Sequence, residues 1–164
     1  MYQPREHRLL SEWLHEKYPS YPVRMCVPLG PAPKEIVDRV GEEKALSASR
    51  PWRPEVDAIV FLERKLLVVE AKIFRVMDGL SKLQVYDTLV PSTPELKDYA
   101  KWPREKILLV AWTAPWLEEA ARVSNTKIEV YTPDWIKAYV EEIHKYWTKE
   151  YREARIAGRY GSNV

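Results

Sequence analysis

Between Val56 and Ile73 two apolar, β-rich runs, VDAIVFLE and LLVVEAKI, flank a short polar link around Glu63, Arg64 and Lys65. Such a link is too short for a crossover, so the runs read as neighbouring antiparallel strands. A third run, KILLVAWT at 106–113, has the length and composition of a buried strand. Around these, Leu9, Leu10, Trp13 and Leu14 recur at helical spacing within residues 4–18, and VRMCVPL after Pro22 reads as a further strand. A Pro- and Gly-punctuated excursion with a short helix near 35–40 leads to Pro54. Helices are predicted at 75–90, 115–124 and 134–147, a strand at 127–131, and a loop or broken helix over PSTPELKDYAKWP. The order predicts an α/β domain over residues 1–147, with a mixed central sheet flanked by helices, and a basic tail over 148–164.

The charges inside LLVVEAKI need an explanation. A buried ion loses several kcal/mol of hydration unless a partner or a metal compensates it. Alternation places Glu70 and Lys72 on one face of their strand, and Asp57 opens the preceding strand. With a two-residue turn, either Glu63-Arg64 or Arg64-Lys65, Asp57 comes opposite Glu70 or opposite Lys72 on the same face. A three-residue turn without a bulge would send it to the other face. Two readings follow: a structural ion pair of Lys72 with Glu70 or Asp57, or two carboxylates gripping a divalent cation beside an ammonium.

VDAIVFLERKLLVVEAKI resembles the PD-(D/E)XK nuclease superfamily, in which an Asp opens the second core strand and Glu-x-Lys closes the third. Asp57 matches the Asp, with Val56 where Pro is common, and Glu70, Ala71 and Lys72 match the second half. The resemblance implies a restriction-endonuclease-like αβββαβ core and Mg2+- or Mn2+-dependent hydrolysis of DNA. Asp57, Glu70 and the Ala71 carbonyl would ligate the metal, and Lys72 would orient or help deprotonate the attacking water. The implied partner is DNA, bound by a monomer or a homodimer. A nuclease-like fold serving as a non-catalytic nucleic-acid-binding or assembly module is the alternative.

Members of this superfamily often carry a Glu on the first helix. At about 100° per residue, Glu6 falls in the middle of the stripe of Leu9, Leu10, Trp13 and Leu14, Glu16 at its edge and Glu12 away from it. The helix after the motif is similar to the Gln-x-x-x-Tyr element of many members, with Tyr86 as the Tyr and Lys82 in place of the Gln; Gln84 is the alternative polar group. Arg50, Trp52 and Arg53 join cationic and stacking groups ahead of Asp57, and Arg75 follows the motif, so these residues are the predicted DNA contacts.

Composition adds exclusions. The chain has 46% hydrophobic and 30% charged residues and a net charge of +2, which leaves any nucleic-acid surface to local clustering. One cysteine, Cys26, cannot form an internal disulfide; core packing and a reducing, cytoplasmic setting are expected. No signal-peptide run or long apolar segment appears, and His7, His15 and His144 lack metal-ligand spacing. There is no Gly-rich phosphate loop or GxSxG elbow. Asn and Gln are scarce beside 13 prolines, a composition associated with thermophiles.

Overall fold

In the computed structural model of the chain, residues 4–146 and 148–160 are described, with 151, 159 and 160 by backbone alone. The elements run α1 (Pro4–Lys17), β1 (Val23–Pro28), α2 (Lys34–Val40), α3 (Glu42–Ala48), β2 (Glu55–Phe61), β3 (Leu66–Lys72), α4 (Val76–Leu89), β4 (Arg104–Val110), α5 (Pro115–Val123), β5 (Thr126–Val130), α6 (Asp134–Lys145) and α7 (Lys149–Tyr160). The fold is α/β. Its mixed five-stranded sheet has the order β1-β2-β3-β4-β5, antiparallel from β1 to β3 and parallel from β3 to β5. The chain forms two compact units, Met1–Tyr131 with the whole sheet, and Thr132–Val164 with α6 and the helix α7 of the basic tail.

The excursion before β2 holds one α-helix more than its sequence suggests, and a 3-10 turn at Arg50–Trp52. α3, EEKALSA, buries Ala45 alone, so it carries no apolar stripe to read. Gly41 separates it from α2 at φ +80°, a conformation that a side chain would strain. The segment after α4 is a broken helix, formed by 3-10 turns at Val90–Ser92 and Pro94–Tyr99.

The turn between β2 and β3 settles their register. Leu62 N–H donates to the Lys65 carbonyl, so Glu63 and Arg64 are the two loop residues. Pairing then runs from Phe61↔Leu66 to Ala58↔Val69, and the next opposed positions are Asp57 and Glu70. All seven residues of β3 are buried. Leu66 and Val68 join Leu108 and Val110 of β4 and Leu80, Leu83 and Tyr86 of α4 in the main core. Burying each such aliphatic side chain contributes about 1.5–3 kcal/mol. α1 is the other helix lying against β3, and it buries Leu9, Leu10, Trp13, Leu14 and Glu6, the stripe its sequence predicts.

The approach of α4 to β3 depends on a glycine. A Cβ on Gly79 would lie 2.8 Å from both Lys72 Cγ and a Leu108 methyl, so the helix sits against the charged end of β3 because nothing projects there.

Candidate active site

Beyond Ala58↔Val69 the β2–β3 ladder stops. The next backbone bond would tie Ala71 to Val56; instead the Ala71 N–H donates to Asp57 Oδ2 at 2.9 Å. An extended residue turns its carbonyl to the same edge as its N–H, so the Ala71 carbonyl faces the gap that the ladder leaves. Glu70 stands opposite Asp57, where opposed Cβ atoms are about 5 Å apart. Its Oε1 lies 3.1 Å from Lys72 Nζ and 3.5 Å from Lys82 Nζ. Its Oε2 is buried and has no hydrogen-bond partner.

Lys72 is held from a second direction. Its Nζ donates to Glu6 Oε2 at 3.2 Å, while Glu6 Oε1 accepts the Ile73 N–H at 3.2 Å. One carboxylate from the first turn of α1 therefore fixes both the ammonium and the end of β3. Glu12, by contrast, pairs with Arg8 on the outer face of α1. These groups open into a cleft of about 570 Å³ that Lys82, Val85 and Tyr86 of α4 also line.

The electrostatics are those of a crowded acid pair. Burial, and then the facing Asp57, push the Glu70 carboxyl up to about 7 against the opposing pull of Lys72 and Lys82. Burial alone would lower Lys72, but Glu70, Glu6 and Asp57 outweigh it and hold the ammonium above its ordinary value. Tyr86 is raised by burial and by Glu70, so its phenol stays protonated and can donate.

Asp57, Glu70, Lys72, Glu6, Lys82 and Tyr86 thus meet at one cleft. Other expected contacts go elsewhere. Gln84 points away from it, donating to Thr126 Oγ1 and the Leu80 carbonyl and accepting from Lys106, because it sits two residues round the helix from Lys82 and Tyr86. Arg53, expected as a DNA contact, lines the cleft but is engaged within the fold. Its side chain is 3% exposed and is bound at both ends to Glu95, at 2.6 and 2.8 Å, with a further bond to the Pro28 carbonyl. Arg50 is exposed, with Nη2 on the Cys26 carbonyl and Glu55, and Trp52 is 72% exposed beside it. Arg75 is exposed in a left-handed conformation at the entry to α4.

Two cleft residues escaped sequence reasoning. Cys26 packs at the cleft wall and not in the core, half-buried, with Sγ 4.0 Å from His7 Nε2. Only the β1–β2 register, which brings Cys26 level with Asp57, reveals this. His7 adjoins Glu6 and has no spacing signal of its own.

Comparison with family models, curated proteins and solved structures finds no match for this chain. The site must speak through its own chemistry. Among the described residues no three His, Cys, Asp or Glu side chains are grouped to hold an ion alone. Asp57, Glu70 and the Ala71 carbonyl together could offer only oxygen donors, the kind that a hard divalent cation takes. The buried Glu70 Oε2, which has no hydrogen-bond partner, fits such an ion.

Proposed function

We propose that this chain is a Mg2+- or Mn2+-dependent nuclease that hydrolyses phosphodiester bonds of DNA, built on the core of the PD-(D/E)XK nucleases. The observation that carries this reading is the buried, unpartnered Glu70 Oε2 beside Asp57 at the open end of β2 and β3. Lys72 and Lys82 both approach Glu70 through Oε1, which leaves Oε2 for a further ligand. The succession of α1, three antiparallel strands, α4 and the parallel strand β4 also supports it.

Asp57, Glu70 and the Ala71 carbonyl would hold the cation. When bound, it supplies Lewis acidity toward a phosphoryl oxygen and a lowered pKa for bound water. Lys72 remains an ammonium because three carboxylates surround it, so its role is to donate toward the pentavalent phosphate's developing charge and to orient water. Glu6 positions Lys72 by holding its Nζ from the α1 side. Tyr86 keeps a protonated phenol on the cleft wall.

The test is cleavage of plasmid, linear duplex and single-stranded DNA with Mg2+ or Mn2+, comparing wild type with Glu70→Ala and Lys72→Ala. Each variant is expected to lose roughly a hundredfold or more in rate, with circular dichroism showing an intact fold. Variants that cut as wild type does would refute the assignment. Metal-independent DNA binding without any cleavage by wild type would favour the non-catalytic module instead.

A further inference from the structure

The cations lining the cleft differ in how firmly they are held. Lys72 is 11% exposed and pinned between Glu6 and Glu70. Arg53 is committed to Glu95, and Arg50, which does not line the cleft, to Glu55 and the Cys26 carbonyl. Lys82 is 51% exposed, and its ion pair is with Glu70 Oε1 at 3.5 Å, on the oxygen that Lys72 already occupies. It reaches that oxygen from the solvent-facing side of α4 on a flexible four-carbon stem. Its ammonium can therefore move by several ångströms without any movement of the helix.

We propose that Lys82 is a displaceable cation that couples metal binding to DNA binding: it occupies Glu70 in the metal-free protein and is released onto a DNA phosphate when a divalent cation takes that carboxylate. This rests on the nuclease reading above. Without metal, Lys82 offsets part of the charge shared by Asp57 and Glu70. A divalent ion on the same carboxylate reverses the balance, because the ammonium then faces a dication at short range instead of an anion. Lys82 lines the cleft, so the anion within its reach is a phosphate of the bound strand. Metal and DNA each favour the state in which Lys82 has left Glu70, and by linkage each tightens the other by the same factor.

The prediction separates from the nuclease assignment because it is read by binding. Mn2+ affinity is measured by calorimetry without DNA, and the affinity of fluorescein-labelled duplex and single-stranded DNA by anisotropy, in chelator and in Ca2+, over a salt series. Lys82→Gln is expected to bind Mn2+ about fivefold more tightly than wild type, the scale of losing a partly exposed competing ion pair. Its gain in DNA affinity on adding Ca2+ should shrink by a similar factor. Its log-log salt slope should fall by about 0.7–0.9, one phosphate contact, in Ca2+ but not in chelator. Unchanged or weaker Mn2+ affinity in Lys82→Gln, or a salt slope that falls equally in chelator, would overturn the coupling while leaving the nuclease reading intact. Wild type that binds no Mn2+ would overturn both. Lys82→Arg, which keeps the charge, should retain the wild-type coupling.

Discussion

Replacing Glu70 by Gln tests whether its charge serves the fold or burdens it. The folded carboxyl titrates at about 7 against an ordinary 4.5, raised by burial and then by Asp57. A raised carboxyl pKa contributes stability that is fully present below the unfolded value, near pH 4.5, and is lost as pH rises through 7. At 1.36 kcal/mol per unit, the ionised form is disfavoured in the folded chain by about 3 kcal/mol above pH 8. Gln mimics the protonated carboxyl and carries no such term. Thermal melts in chelator should therefore show wild type losing ground to Glu70→Gln between pH 4.5 and 8.5, by roughly 6–12 °C for a chain of this size. Mn2+ at a hundredfold excess over its Kd would return about 2.7 kcal/mol to wild type at pH 8, nearly all of the deficit, and little to the variant. Asp57→Asn should flatten the wild-type trend by removing the second cause of the shift. If Glu70 is instead a structural partner of Lys72 and Lys82, Glu70→Gln melts lower at pH 8 than wild type and the gap narrows toward pH 4.5. That sign would refute the reasoning.

Glu6→Gln should lower cleavage at least tenfold with little change in metal affinity, because it loosens Lys72 and leaves the ligands in place, whereas Glu12→Gln, on the outer face, should cut normally. Arg53→Ala should destabilise the fold by about 2 kcal/mol in denaturant titrations by removing its charge-assisted bonds to Glu95, with the salt slope of DNA binding unchanged; Arg50→Ala should do the reverse, lowering the slope with the midpoint near wild type. Gly79→Ala should cost about 1–3 kcal/mol despite better helix propensity, and should depress cleavage, since the added methyl meets Lys72 Cγ and Leu108 at 2.8 Å.

What the sequence determined by itself is local and periodic. Alternation puts Glu70 and Lys72 on one face of β3, and helical spacing singles out Glu6 over Glu12 and Glu16, because backbone geometry sets both periods whatever the chain later packs against. Tertiary structure decided every partnership across the sheet. Two turns were equally compatible with ERK, and only the Leu62–Lys65 bond selects the one that opposes Asp57 to Glu70. Arg53 reads as a DNA contact beside Trp52, yet Glu95, 42 residues away in the chain, buries it. Gln84 and Lys82 are near-equivalent in sequence, and the face of α4 that packs on the sheet decides that one reaches Thr126 and the other Glu70. Cys26 meets Asp57 at the cleft because β1 pairs with β2 in a single register, and His7 joins it from α1. Such contacts depend on which elements pack together, a long-range choice made by burial of the whole core, and no local pattern of residues encodes it.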